Sequence, residues 1–318
     1  MLRRIAVSLP TFIAATTITF LIMHVAAGSY IPGLDLNPNL TGAQVEQLKS
    51  YLGLDRPLYV QYGTWLFGLA HGDFGRSMTD GIPVLTLIQS RLPATLLLTL
   101  TATAVSLCVA VPTGIAAAVR RGRPLDHLLT SLSVTGYAIP AFWLGLLLIL
   151  VFAVKPHDLG LPALPSGGIA KAGQGGGDIP DRIVHLILPA LAVAFGYIAI
   201  WSRFVRSSVL EVLGHDYIRT ARAKGMAETR VLYIHVLRNA MIPLITLVGL
   251  EAPALFSGSL IIEVVFSWGG MGQLLYQRAV QTDYTAVLGL TTFMALLAIG
   301  GNLLADILYA SADPRLRY

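Results

Sequence analysis

Long runs of hydrophobic residues, separated by shorter polar segments, dominate this chain. A helix that crosses a hydrocarbon core of ~30 Å needs about 20 predominantly apolar residues. Stretches of that length cover residues 5–27, 92–119, 128–153, 185–207, 239–262 and 286–309. The pattern therefore predicts an all-α polytopic membrane protein with six transmembrane helices.

The composition favours the same class. Hydrophobic residues make up 55% of the chain and charged residues 12%, whereas a soluble domain is ~25% charged. An isoelectric point near 9.4 raises the alternative of nucleic-acid binding. The basic residues lie beside apolar stretches and form no patch interleaved with aromatic residues, so we expect membrane lipid and no nucleic acid as a partner.

Metal sites are not expected. Cys108 is the only cysteine, which excludes an intrachain disulfide and metal sites built from several thiolates. The histidines are scattered, and no pair has the spacing of metal ligands on one helix.

Lys and Arg are concentrated in alternate connecting segments, and such residues favour the cytoplasmic side. With the N-terminus inside, the inner segments hold Arg3, Arg4, Arg120, Arg121, Arg123, Arg203, Arg206, Arg219, Arg222, Lys224, Arg230, Arg238, Arg315 and Arg317. Both termini are therefore predicted to be cytoplasmic. The start of the chain is similar to a signal peptide, but its apolar stretch is longer, so we expect a retained anchor.

Four regions follow from this topology. An anchor helix covers 1–27, an extracytoplasmic segment 28–91, a five-helix core 92–309 and a cytoplasmic tail 310–318. Thr41 and Gln44 have the spacing of a capping box, which predicts a short amphipathic helix outside the membrane. Pro140 lies inside the third predicted span and is expected to kink it.

The second span carries a small residue at every fourth position. These residues are Ala102, Ser106, Ala110, Gly114 and Ala118. They form one stripe that lets another helix approach closely, which is how spans associate in lipid. The stripe leaves open whether the partner helix belongs to this chain or to a second subunit.

A basic island at 216–225 separates the fourth and fifth spans. Asp216 is a good N-cap, and Tyr217, Ile218 and Ala221 are predicted to form an apolar face. Gly225 has the position of a left-handed residue that ends a helix. We therefore expect a short cytoplasmic helix, a tight turn, and a second helix from about 228 into the fifth span. The alternative is an ordinary basic loop that contacts anionic lipid.

Residues 217–225, followed by 235–243, resemble the coupling motif of ABC importer permeases. More closely, they resemble the B-type permease of dipeptide and oligopeptide importers. The similarity extends along most of the chain. Further matching segments are Leu52–Leu58, Gly72–Ser77, Val265–Gly272 and Asp313–Tyr318.

The resemblance implies a type I ABC importer permease fold in a bacterial cytoplasmic (inner) membrane. It also implies that a cytoplasmic ATPase receives the short helix, with Tyr217, Arg219, Thr220, Ala221, Lys224 and Gly225 as the coupling residues. The Glu of the broad ABC-importer pattern is absent here, and Arg238 replaces a Pro. Both departures are usual in the peptide branch.

The same resemblance implies several partners. They are a C-type permease, one or two ABC ATPase subunits and an extracytoplasmic peptide-binding protein. The chain has no G-x-x-x-x-G-K-[ST] loop for cradling ATP phosphates. We therefore expect no catalytic site and no cofactor in this chain, with ATP and Mg bound by the ATPase subunits.

The translocation path and the cargo are less constrained. Ionisable residues within spans are costly, and Glu251 is the deepest; with Ser257 and Ser259 it is a candidate for the path. Polar contacts at the helix interface are the structural alternative for all three. The same architecture could import nickel or glutathione.

Two other classes of membrane protein lack their expected signatures in this sequence. An ion-driven secondary transporter would be expected to carry inverted repeats, which we do not detect. An intramembrane metalloprotease would need H-E-x-x-H, which is missing.

Overall fold

The computed structural model describes residues 2–27, 55–170 and 178–312. The regular elements in these ranges are helices, which confirms the predicted all-α class. The amphipathic helix predicted at Thr41 and the tail residues 313–318 lie outside the described residues. The chain divides into two compact units: residues 1–93 with 270–299, and residues 94–269 with 300–318.

Within the described ranges, six helical segments are long and apolar enough to cross a membrane. They are Ser8–Val25, Val84–Val119, Ala141–Asp158, Ile179–Leu213, Glu228–Gly249 and Tyr284–Leu303. The predicted number of six spans is thereby confirmed, although individual ends differ from the predicted ones by up to 13 residues.

The first unit is built from helices at both ends of the chain. They are α1 (Leu2–Ala27), α2 (Leu58–Ala70), the start of α3 (Val84–Val119), α11 (Met271–Val280) and the start of α12 (Tyr284–Ala312). Helix α2 packs on α1 through aromatic residues: Tyr62 and Thr16 share a hydrogen bond of 2.9 Å, and the Phe20 ring lies 5.2 Å from that of Tyr62. Thirteen residues are too few for α2 to cross a bilayer.

A fully buried carboxylate, Asp283, precedes α12. Its Oδ1 accepts the backbone N–H of Met78 at 2.9 Å and that of Ala286 at 3.2 Å, so it caps the helix. Its Oδ2 accepts the hydroxyls of Ser77 at 2.5 Å and Thr79 at 3.0 Å. The loop before α3 is thereby fixed to the start of α12.

Arg278 completes this Asp283 network. It donates to Asp80 at 2.6 Å and to the Ser77 hydroxyl at 3.2 Å, and it lies 3.5 Å from Asp283. Partial burial acts to raise the pKa of Asp80, but hydrogen bonds involving Ser77 and Arg278 outweigh it. The pKa of Asp80 therefore lies below its usual range.

The second unit contains the rest of α3 and the middle of the chain. Its further elements are α4 (Pro124–Ala138), α5 (Ala141–Ile149), a π-helical turn (Leu150–Val154), α6 (Lys155–Asp158), α7 (Ile179–Leu213), α8 (Asp216–Ala223), α9 (Glu228–Arg230), a second π-helical turn (Val231–Val236) and α10 (Leu237–Val265). Helix α7 is the centre of the unit, because α4, α5 and α10 all pack against it.

The stripe of small residues on α3 packs on α7 of the same chain. Ser106 donates to the Ala194 carbonyl at 3.2 Å. A β-carbon at Gly114 would lie 2.6 Å from the Ser202 carbonyl oxygen, which is closer than real contacts allow. The partner helix that the sequence left open therefore lies within this unit.

The third predicted span is not one kinked helix, so that prediction was wrong. Helix α4 ends at Ala138 and α5 begins at Ala141. Between them Ile139 is extended, with φ −80° and ψ 122°. The ring of Pro140 disfavours helical geometry in the preceding residue, and here that effect separates two helices.

Candidate coupling site

The short helix predicted between the fourth and fifth spans is present as α8, Asp216–Ala223. Gly225 follows with φ +77°, as predicted for the residue that ends it. The Met226 N–H donates to the Ala221 carbonyl at 3.3 Å, and the Gly225 N–H to that of Arg222 at 2.9 Å. These two bonds form a Schellman motif, which turns the chain sharply towards α9.

Two predictions about the start of α8 were wrong. Asp216 is the first helical residue rather than its cap, because the extended residue before the helix is His215. Its carboxylate instead lies 3.4 Å from the Arg219 guanidinium, where it still suits the positive end of the helix dipole. Tyr217 is 44% exposed and does not belong to the apolar face.

The buried face of α8 rests on a cluster that we call the seat cluster. Ile218 and Ala221 insert from α8. Val209 and Val212 come from the end of α7, and Val231 comes from the π-helical turn after α9. All five side chains are at most 7% exposed. Helix α8 is therefore fixed to two long helices at once, the end of α7 and the start of the segment that leads into α10.

Polar contacts reinforce this position. The Asn239 side-chain amide donates to the Tyr217 hydroxyl at 3.2 Å. Arg222 donates to both carboxylate oxygens of Glu228, at 2.8 Å and 3.1 Å. These contacts connect α8 to α9 and to the first turn of α10.

The rest of α8 is exposed, although Tyr217 and Arg222 also make the polar contacts just described. The exposed residues of the helix are Asp216, Tyr217, Arg219, Thr220, Arg222 and Ala223, and Lys224, which follows the helix, is exposed as well. Of the predicted coupling residues, Tyr217, Arg219, Thr220 and Lys224 thus lie on one accessible, cationic surface. Ala221 is buried in the seat cluster, so it supports the helix and presents no surface of its own.

A second charged site lies between α4 and α7. Arg206 donates to the Asp126 carboxylate through Nε at 2.6 Å and through Nη2 at 2.8 Å. The Gly122 N–H donates to Asp126 Oδ2 at 2.9 Å, and the Thr130 hydroxyl lies 3.4 Å from Oδ1. The Arg206 and Gly122 hydrogen bonds hold the pKa of Asp126 well below its usual range.

Of the candidate path residues, Glu251 is partly exposed and Ser259 is buried. Tyr197 on α7 lies near enough to Glu251 for an electrostatic interaction. The Ser257 side chain lies outside the described part of the chain.

Sequence reasoning missed the importance of two buried carboxylates in the second unit. Asp126 is 3% exposed, and its signal was a single acid beside three arginines in a short turn. Glu263 is fully buried and accepts the Thr95 hydroxyl at 2.7 Å. Among the described residues, no group of three or more His, Cys, Asp or Glu is placed to hold a metal ion.

Comparisons with known proteins place this arrangement in a family. The binding-protein-dependent transport system inner membrane component matches residues 110–318, and the N-terminal region of such components matches residues 1–99. The chain is 43% identical over 318 residues to the oligopeptide transport system permease protein AppB of Bacillus subtilis (strain 168), covering 100% of this chain and 98% of AppB.

A second relative has a different named cargo. The glutathione transport system permease protein GsiC of Salmonella paratyphi A is 39% identical over 317 residues, covering 100% of this chain and 98% of GsiC.

The fold is also similar to a solved structure, an inward-facing MetNI methionine ABC transporter. The TM-score is 0.58 at 18% identity, over 72% of this chain and 97% of that one. The chain therefore belongs to the family of binding-protein-dependent transport system inner membrane components, and it is a permease subunit of an ABC importer, a transporter complex that includes ATPase subunits.

Proposed function

We propose that this chain is the B-type permease subunit of a di- or oligopeptide importer, forming half of its translocation channel. The observation that carries the proposal is α8, an accessible cationic helix anchored on two long helices. The peptide cargo is supported by the 43% identity to AppB, an oligopeptide permease.

The position of α8 would allow it to pass a movement of a soluble partner on to the membrane helices. Ile218 and Ala221 fix its buried face to the ends of α7 and α10, while Arg219 is 74% exposed on the opposite face. A displacement of α8 would therefore displace two membrane helices together. Nucleotide binding by an ATPase that grips α8 would bias the permease towards one conformation.

The proposed assembly contains a C-type permease, one or two ABC ATPase subunits and an extracytoplasmic peptide-binding protein. ATP and Mg are bound by the ATPase subunits, and this chain has no catalytic site of its own. It lies in the bacterial inner membrane with both termini cytoplasmic. Glu251, Ser257 and Ser259 are our candidates for residues along the translocation path.

Glutathione is a second candidate cargo, favoured by the 39% identity to GsiC. Uptake of a labelled dipeptide by the reconstituted transporter, with and without excess glutathione, distinguishes the two. Competition by unlabelled dipeptides but not by glutathione supports a peptide importer.

Cysteine cross-linking tests the docking role of α8. Cys108 is replaced by Ser, and Thr220→Cys is introduced on the exposed face. We expect cross-linking to an ATPase subunit. Lys155→Cys is the matched control, because Lys155 is also exposed but lies near the end of the span Ala141–Asp158 that is predicted to face the opposite side of the membrane. Equal cross-linking at both positions would contradict the topology.

Charge reversal tests function at the same surface. Arg219→Glu should abolish ATP-dependent uptake without loss of membrane insertion, whereas Lys155→Glu should not. Normal uptake by Arg219→Glu together with absent cross-linking at Thr220 would remove α8 from the mechanism. Uptake by the purified chain alone, driven by an ion gradient, would contradict the whole proposal.

A further inference from the structure

Helices α4 and α7 are joined by an ordered series of contacts. A β-carbon at Gly136 would lie 3.5 Å from that of Ala199. The hydroxyls of Ser133 and Ser202 lie 3.0 Å apart. The pair Asp126–Arg206 then closes the series at the start of α4. Positions fall along α4 as they rise along α7, so the two helices run antiparallel.

The Asp126–Arg206 contact is an ion pair, unlike the other contacts between α4 and α7. Arg206 donates two hydrogen bonds to Asp126, and such a bidentate pair fixes both distance and orientation. Packed apolar surfaces can slide past one another by small shear movements. Separating this pair would instead leave a buried carboxylate without its cation, which is strongly disfavoured.

Asp126 also holds the turn between α3 and α4. The carboxylate accepts the N–H of Gly122, which has φ +74°, a conformation that favours glycine. The Arg123 N–H donates to the Arg120 carbonyl at 3.0 Å within the same turn. One side chain therefore connects the turn, the start of α4 and α7.

Arg206 lies about two turns before the end of α7 at Leu213. Beyond it, Val209 and Val212 belong to the seat cluster on which α8 rests. The end of α7 thus contacts α8 through one set of side chains and Asp126 through another. Movement of α8 that is passed to α7 would reach Asp126 within the same stretch of helix.

We propose that Asp126 is a positioning residue for coupling. Through Arg206 it fastens α4 and the α3–α4 turn to the end of α7 that supports α8, so that these elements move as one body. The inference rests on the proposed role of α8. Without the pair, ATP hydrolysis would still move α8, but less of that movement would reach α4.

The test uses the whole reconstituted transporter with Asp126→Asn, which keeps the side-chain shape and removes the charge. The measured quantity is peptide imported per ATP hydrolysed, at equal amounts of assembled transporter. Coupling between sites commonly corresponds to about 5–150-fold, so we expect this ratio to fall at least about fivefold while hydrolysis continues. Arg206→Lys keeps the charge but not the bidentate geometry, so it should give an intermediate ratio of peptide imported per ATP hydrolysed. It replaces Asp126→Asn as the test variant if Asp126→Asn does not assemble.

A covalent link provides the decisive control. In the Cys108→Ser background, Ser133→Cys and Ser202→Cys should form a disulfide between α4 and α7 on oxidation. In Asp126→Asn we expect that disulfide to restore most of the lost ratio, and reduction to remove it again. A role limited to folding would change the amount of assembled transporter but not the ratio.

Three results would overturn the inference. They are an unchanged ratio in Asp126→Asn, a parallel fall of uptake and hydrolysis, and a ratio that the disulfide does not restore. If Thr220→Cys still cross-links to the ATPase in these cases, the proposed function stands and only the role of Asp126 is wrong. Failure of that cross-link would place the error in the proposed role of α8.

Discussion

Two buried carboxylates, Asp283 in the first unit and Asp126 in the second, each connect separate segments of the chain. They do so through different sets of hydrogen-bond donors. Asp283 is 0% and Asp126 is 3% exposed. Each accepts at least one backbone N–H group and lies close to an arginine. The Asp283 carboxylate divides its hydrogen bonds among two hydroxyls and two backbone amides. The Asp126 carboxylate depends mainly on one bidentate guanidinium from Arg206.

This difference has a physical consequence. The Asp283 network fixes a loop to a helix end through several bonds, and no single donor controls it. The Asp126 pair concentrates the connection between two helices in one contact, so a single substitution can release it. A connection shared among many hydrogen bonds suits two segments that stay fixed to each other. A connection made by a single ion pair suits two helices whose common movement depends on that pair.

The largest expected effect is from Asp283→Ala. Several buried donors and Arg278 would lose their acceptor together, and breaking a buried ionic group costs about 3–5 kcal/mol. Thr79→Val is the control, since it removes one hydrogen bond worth about 1 kcal/mol. Thermal unfolding of the detergent-solubilised protein measures both. Equal losses would show that the network is not distributed.

A smaller loss of stability is expected from Gly114→Ala. The added carbon would push α3 away from α7 next to Ser202 and Val205, one turn from Arg206. Overpacking of this kind costs about 1–3 kcal/mol. Gly196→Ala is the matched control, because a β-carbon there meets nothing within 4 Å. If both variants unfold at the same temperature, the close approach of α3 and α7 is not required.

The hydrophobic pattern was sufficient to predict the long helices, because the length of an apolar run by itself identifies a membrane span. It also identified α8, since Gly225 at the end of a short helix has a specific backbone reason, the left-handed conformation. The break at Pro140 was missed because proline can either kink or end a helix, and packing decides which. Asp126 and Asp283 were missed because their partners lie 80 and more than 200 positions away, and no local pattern records such contacts.

The pH dependence of stability separates the two carboxylate environments further. The pKa of Asp126 is depressed in the folded protein, mainly by the Arg206 hydrogen bonds. Its stabilising contribution is therefore fully present above the ordinary Asp pKa of ~3.9 and is lost as the pH falls through the lower folded value. The stability advantage of the unmodified protein over Asp126→Asn should be constant from about pH 8 to 5 and shrink below about pH 4.

Asp80→Asn provides the comparison from the Asp283 network. The pKa of Asp80 is also lowered, so the sign is the same, but its side chain is 34% exposed and solvent screening weakens the effect. Acid unfolding followed by tryptophan fluorescence measures both variants. A larger pH-dependent difference for Asp80→Asn than for Asp126→Asn would contradict the assignment of the stronger pair.

The smallest effect is expected from Glu228→Gln. This variant tests how much the burial of an arginine–carboxylate pair matters when the chemical groups are the same. Arg222 and Glu228 form a bidentate pair like that of Arg206 and Asp126, but their side chains are 42% and 70% exposed. Exposed pairs contribute about 0–1 kcal/mol. The position of α8 instead depends on the seat cluster and on Gly225, where Gly225→Ala would impose a left-handed conformation costing about 1–2 kcal/mol. Glu228→Gln should therefore leave the unfolding temperature almost unchanged, and Gly225→Ala should lower it; the reverse order would mean that the exposed ion pair holds α8 in place.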